Sequence, residues 1–254
     1  MTPDSAKPLP DSDAPLKLSI VMPAYNEAAI MRYAVEDVQR EIPRWTEDYE
    51  LLVVNDGSTD DTGLILDDMA LRFPRVHVLH KENGGHGSAL LHGLDQARGE
   101  FIFLIDADRQ IPIESFGNLW TQIDGQDHAF GVRARRHDPT HRLFLTWLIR
   151  LALRVLFRVR LRDANCPFKI FRRELWQEAA PHISADTLAP SLFLAIYVER
   201  ARGGANEVEV AHRVRQAGSG SLRLGKLFRF CAKAFGQLLD FRKRILNLPK
   251  GNAQ

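Results

Sequence analysis

Two carboxylates one residue apart, Asp106-Ala-Asp108, follow directly on the apolar run Phe101-Ile-Phe-Leu-Ile105. Oxygen ligands of this kind hold a hard divalent cation, Mg²⁺ or Mn²⁺. Such a cation neutralises a diphosphate and stabilises it as a leaving group. Gln110 can complete the shell with its amide oxygen. An isolated Asp-x-Asp is usually a solvated acidic turn; the buried strand that delivers this pair is what argues for a metal.

Three other segments carry suitable chemistry. Asp56 lies in the turn-rich Asn55-Asp-Gly-Ser-Thr-Asp60, where a carboxylate can accept hydrogen bonds from a base or a ribose. Its plainer role is an Asx-turn or a helix cap, which Thr59 or Asp60 could supply instead. Pro23-Ala-Tyr-Asn-Glu27 offers an aromatic face at Tyr25 and an acceptor at Glu27, although Glu27 would also suit a helix first turn. Gly84-Gly-His-Gly87 can approach phosphate through backbone N–H groups, but it has neither the Walker nor the GxGxxG spacing.

These loops need elements to hold them at one place. Leu18–Met22, Leu51–Val54, Val76–Leu79 and Phe101–Ile105 read as buried strands, the first stopped by Pro23. Helical patterns run from Ala28 to about Glu41, through Ile65, Met69 and Ala70, and from Ser88 to Ala97. Apolar strands alternating with amphipathic helices give an α/β fold, a mostly parallel sheet with helices on both faces. In such sheets ligands bind beyond the carboxyl ends of the strands, where each of these loops falls.

Composition sets the wider frame. A chain of 254 residues with 45% hydrophobic and 26% charged residues fits a soluble α/β domain with appendages. Cys166 and Cys231 give no disulfide framework, so a reducing compartment, the cytoplasm, is expected. Residues 1–16 read as a disordered leader. The net charge of +2 hides an asymmetry: residues 1–140 hold 13 Lys and Arg against 24 Asp and Glu, and residues 141–254 hold 21 against 8. A basic half calls for an anionic partner.

Arg133, Arg135 and Arg136 follow a strand expected over Ala129–Val132, and His212-Arg-Val-Arg215 ends another before Gly218-Ser-Gly-Ser221. The arginine fork suits phosphate. Leu143–Arg158 is apolar with Arg150, Arg154 and Arg158 at four-residue steps, and Lys226–Arg244 mixes Phe and Leu with basic residues. Neither is an uncharged run long enough to span a bilayer. Both read as interfacial helices, with core packing or a homo-oligomer or membrane-protein interface as the alternative.

In order along the chain, Val21–Glu27, Val54–Thr62, Asn83–Leu94 and Asp106–Gln110 resemble the inverting family 2 glycosyltransferases of GT-A fold. The likeness is greatest to the dolichyl-phosphate mannosyltransferase group, which includes bacterial polyprenyl-phosphate glycosyltransferases. Gly131–Arg133, Asp163–Arg172 and His212–Leu222 extend it, so that it covers roughly residues 18–227. Two departures stand out: His86 where many relatives carry Lys, and Asn165-Cys-Pro-Phe-Lys169 in place of a small-Gly-Phe-Arg run.

The resemblance implies a GT-A domain over residues 17–222 and a basic amphipathic tail over 223–254. It implies donor contacts at Pro23, Tyr25, Glu27, Asp56, Gly87 and Asp106, and metal and diphosphate contacts at Asp106, Asp108 and Gln110. Arg133, Arg213, Arg215 and Ser221 would meet the acceptor phosphate; Asp106, Asp108 and Arg133 would carry catalysis. The expected partners are a nucleotide-sugar donor, a polyprenyl-phosphate acceptor and an anionic membrane surface on the cytoplasmic face, with no nucleic acid. Three readings compete: a hydroxyl acceptor with Asp186 as base, a nucleotidyltransferase, and a non-enzymatic membrane-binding scaffold.

Overall fold

The computed structural model describes residues 16–134, 150–213 and 224–245. All but the last residue of the expected leader lies outside them, as do Arg135, Arg136, Arg215 and Ser221. Among the described residues seven strands form one sheet: β1 (Leu18–Ala24), β2 (Tyr49–Asp56), β3 (Val76–Lys81), β4 (Phe101–Leu104), β5 (His128–Arg133), β6 (Lys169–Arg172) and β7 (Glu207–Val210). Their order is β3-β2-β1-β4-β6-β5-β7. Pairing is parallel for β1 with β2 and β4, β2 with β3, and β5 with β7; β6 runs antiparallel to both β4 and β5. All strands but β6 therefore end on one edge, and β6 begins there.

The helices are α1 (Ala28–Glu41), α2 (Thr62–Arg72), α3 (His86–Gln96), α4 (Phe116–Trp120), α5 (150–157), α6 (Arg173–Ala179), α7 (Pro190–Arg202) and α8 (Leu224–Ile245). They cover both faces of the sheet. Alternate residues of β1 show the division: Ile20 and Met22 join Met31, Val35, Leu66 and Phe116 in one buried cluster. Val21 joins Leu90, Leu94, Phe157, Phe193 and Phe241 in the other. Every residue of β1 and β2 is buried, as strands covered on both faces must be.

The helix expected over Ala28–Glu41 has those bounds. Pro23 does not stop β1, which continues through Ala24. Pairing with β4 ends at Val21, so Pro23 lies where β2 is the only hydrogen-bonded neighbour and a missing N–H is tolerated. β4 ends at Leu104, one residue before the expected boundary, and α3 starts at His86, two residues early.

The basic stretch over Leu143–Arg158 enters the described residues as α5, which ends at Phe157; Arg158 has a left-handed φ of 58°. The third arginine of the expected stripe thus leaves the helix. Leu153 and Phe157 are buried in the core while Leu151 and Val155 are exposed beside Arg150 and Arg154. In α8, Leu238, Phe241 and Ile245 pack inward, and Phe235 and Leu239 face out. No helix among the described residues is long and apolar enough to cross a membrane.

Candidate active site

The loops at the carboxyl edge are stitched to one another. Asn26, at a left-handed φ of 53°, accepts from Thr59 N at 2.8 Å, and its own N–H donates to Ser58 Oγ at 3.0 Å. Asn tolerates this backbone better than most residues. Asp60 Oδ2 accepts from Ala28 N at 3.2 Å and its Oδ1 from Thr62 N at 3.0 Å. Asp60, not Asp56, is therefore the acid that serves the first turns of α1 and α2.

Asp56 is buried and organises the glycine loop. Its Oδ1 accepts from Lys81 Nζ at 2.7 Å and Gly84 N at 2.9 Å, and Oδ2 from Gly85 N at 2.8 Å. A carboxylate offers about four acceptor positions, so three bonds leave room for one from a ligand. Asp56 borders a hollow of about 350 Å³ together with Pro23, Tyr25, Glu27, Gly85, His86, Asp106 and Asp108. The aromatic ring of Tyr25 is half exposed there.

Asp106 stands where three hollows meet. It lines the one just described, a second of about 110 Å³ with Asp108, Gln110, Arg133, Asn165 and His212, and a third of about 240 Å³ with Pro23, His86, Asn165, Leu188 and Pro190. The Asp106 turn is shaped by Asp108, whose Oδ1 accepts from Gln110 N at 3.0 Å, and by Arg109 at φ 56°, whose guanidinium pairs with Asp37 at 2.7 Å. Arg213 N donates to Gln110 O at 2.7 Å, which ties the segment after β7 to this turn. His86 Nε2 lies 4.0 Å from Asp106 Oδ1.

The donor set suits Mg²⁺ or Mn²⁺: two carboxylates, an amide oxygen and an imidazole around one small hollow. Among the described residues no three His, Cys, Asp or Glu side chains close a cage of their own. That is the usual arrangement where one or two carboxylates and a substrate's phosphates share the ion.

Arg133 faces the second hollow and grips Asp163 through Nε at 2.7 Å and Nη2 at 2.9 Å. Beside this pair lies Lys169, wholly buried at the start of β6. Its Nζ donates to Ala164 O, to Cys166 O and to Ser191 Oγ, and burial pushes its pKa down to about 8. Lys169 thereby holds the carbonyls on either side of Asn165, which lines two of the hollows. Burial pushes the Cys166 thiol up to about 11, which makes it an inert packing group.

Two expected residues sit differently from the rest. Gly87 is absent from the lining of these hollows, where Gly85 and His86 appear. A Cβ on Gly87 would come 2.0 Å from Thr187 O, so this glycine admits the 184–189 loop against α3. Asp186 borders none of the three hollows but a separate one beside α8. It accepts from Ser184 Oγ at 2.6 Å, which with Lys233 holds its carboxyl below the usual range. The cap position of α7 is Ala189.

Arg213 is exposed and outside the lining, while Arg215 and Ser221 lie outside the described residues. Sequence reasoning passed over His212 as a lining residue, Asp163 as the partner of Arg133, and the buried contacts of Lys169. Only His212 carried a signal, a histidine at a strand end before Arg-x-Arg.

Comparison with known proteins shows the family and the fold. Residues 19–180 match the family model described as Glycosyl transferase family 2. An undecaprenyl-phosphate 4-deoxy-4-formamido-L-arabinose transferase of Yersinia enterocolitica is 29% identical over 94% of this chain and 72% of its own length. A protein of the same name from Pseudomonas fluorescens is 30% identical over 69% of this chain, but this chain matches only about half, 52%, of it.

Glucosyl-3-phosphoglycerate synthase from Mycobacterium tuberculosis, solved with Mn²⁺, UDP and phosphoglyceric acid, superposes with a TM-score of 0.66 at 20% identity, over 92% of this chain and 80% of that one. A mannosyltransferase from Pyrobaculum calidifontis, solved with GDP-Man and Mn²⁺, gives 0.59 at 20% identity over 97% and 74%. Those structures establish the GT-A-like fold. With the family model spanning β1 to the end of α6, and so the glycine loop and the Asp106 turn, the chain belongs to the family 2 glycosyl transferases.

Proposed function

We propose that this chain moves a sugar from a nucleoside-diphosphate sugar to a polyprenyl phosphate, with inversion at the anomeric carbon. The carrying observation is the position of Asp106, shared by the hollow that Tyr25, Glu27 and Asp56 line and by two further hollows. The nucleotide lies along Tyr25, Glu27 and Asp56, with its diphosphate reaching Asp106 and Asp108. Asp106, Asp108, Gln110 and His212 are the residues that would hold a divalent cation, which when bound would supply charge neutralisation for a departing diphosphate.

The acceptor phosphate enters beside Arg133. One of its oxygens attacks the anomeric carbon as the bond to the donor's β-phosphate oxygen breaks, and that oxygen leaves with the electron pair. A phosphate monoester is already largely dianionic at neutral pH, its second pKa being near ~6, so no protein base is needed. The position of Asp186 supports this, because the best candidate base borders none of the three hollows. The names of the curated relatives favour the same acceptor class. The outward faces of α5 and α8, apolar and basic together, suit a peripheral stay at an anionic membrane surface.

The test is a donor screen with a short-chain polyprenyl phosphate, read by nucleoside diphosphate release and by the product's anomeric configuration. Release that requires the lipid phosphate and gives inverted product is expected. Transfer to sugar hydroxyls that depends on Asp186, or release of pyrophosphate, would overturn the reading.

A further inference from the structure

The hollow beside Asp106 that holds Leu188, Ala189 and Pro190 owes its wall to the 184–189 loop. That loop is fixed from two sides. On the inner side Thr187 O presses on Gly87 of α3, in the space where any other residue would put a Cβ. On the outer side a single side chain of α8, Gln237, brackets the same residue. Its Oε1 accepts from Leu188 N at 3.0 Å, and its Nε2 donates to Asp186 O at 2.9 Å. Only a carboxamide supplies a donor and an acceptor together at this reach, and it does here what a neighbouring strand would do. The helix that bears it is anchored in the core by Leu238, Phe241 and Ile245, and shows Phe235 and Leu239 to the outside.

We infer that Gln237 is a positioning residue that latches the 184–189 loop to α8 and so sets the wall of the acceptor hollow. A shift of α8, such as engagement of its outward apolar face would cause, passes through this amide to Leu188 and the hollow beside Asp106. Assigning this hollow to the acceptor extends the proposed function from the adjoining hollow of Arg133, with which it shares Asp106, Asn165 and Pro167; the latch itself does not rest on that reading.

The test compares wild type with Gln237→Ala and Gln237→Glu in the full chain. Two readouts are used: amide hydrogen exchange at residues 184–190, and separate KM values for donor and short-chain polyprenyl phosphate. Two lost hydrogen bonds of about 1 kcal/mol each correspond to a roughly tenfold to thirtyfold change. Gln237→Ala is expected to speed exchange at Leu188 and raise the lipid-phosphate KM by about that factor, with kcat and donor KM within about twofold. Gln237→Glu keeps an acceptor for Leu188 N–H and is expected to recover part of the loss, which also serves if the alanine variant folds poorly. Unchanged exchange at Leu188 would overturn the latch. So would a rise in donor KM in parallel with a fall in kcat and melting temperature. Faster exchange with an unchanged lipid-phosphate KM would sustain the latch and overturn the acceptor assignment of the hollow.

Discussion

The two edges of the sheet both carry buried acids, and they treat them in opposite ways. At the amino edge Glu50, Glu100 and Asp127 are each held by basic side chains. Glu50 is 1% exposed and accepts from Ser19 Oγ at 2.6 Å and Arg98 Nη2 at 2.8 Å. Glu100 bridges Lys17 and Arg172, each at 2.6 Å, and Asp127 joins His128 to Arg202. At the carboxyl edge Asp56 is enclosed by the glycine loop, but Asp106 faces three hollows. An acid enclosed by donors stabilises the fold; an acid held at the rim of a cavity is available to a ligand.

Exchanging the two kinds of acid gives the largest expected contrast. Asp108→Ala or Asp106→Ala should lower turnover by on the order of 10³-fold or more, with a melting temperature close to wild type. Glu50→Ala should do the reverse. Stranding Arg98 and Ser19 is expected to cost on the order of 3 kcal/mol in denaturant unfolding while the folded fraction keeps its specific activity. Loss of activity in Glu50→Ala at full folding, or a large drop in melting temperature for Asp108→Ala, would break the comparison. Chelation should likewise abolish turnover, and added Mn²⁺ or Mg²⁺ restore it, without a change in far-UV circular dichroism.

Acid titration probes the amino edge through Asp127. The His128 hydrogen bond, with Arg202 behind it, holds Asp127 at about 2 instead of 3.8. Because the folded value is the lower one, this contribution is complete above the unfolded value and is lost as pH falls from 3.8 towards 2. Melting curves over that window should fall more steeply for wild type than for Asp127→Asn, by at most about 2 kcal/mol at the upper end. Parallel curves would remove Asp127 from the account.

The order of the first four strands and the turn after each could be read from sequence because runs such as Leu51–Val54 are apolar without interruption. β6 could not be read: its four residues, Lys-Ile-Phe-Arg, are short and include a buried lysine. Nothing local announces an antiparallel strand between β4 and β5. The site was legible where one segment carried the chemistry, as at Asp106–Asp108. It was illegible where distant segments complete a group, as with Arg133 and Asp163 or Gln237 and Leu188. The partners of Asp56 within the fold were illegible for that reason, since Gly84 and Gly85 are nearly thirty residues away.

The smallest effect expected is at the outward faces. Replacing exposed Arg150 and Arg154 with Gln should weaken binding to anionic vesicles by about 1 kcal/mol per residue at low salt, and less as salt rises. Co-sedimentation that is equal and negligible for anionic and neutral vesicles would reassign these faces to another protein chain.

The central claim, that the acids at the carboxyl edge bind the donor through a divalent cation, is tested most directly by calorimetric titration of UDP and GDP with and without Mn²⁺. Wild type should bind one of the two nucleotides with Mn²⁺, and at least about tenfold more weakly with chelator, a difference of about 1.4 kcal/mol. Asp108→Asn should show the weak value in both conditions. Equal affinity with and without Mn²⁺ in wild type, matched by Asp108→Asn, would contradict the account.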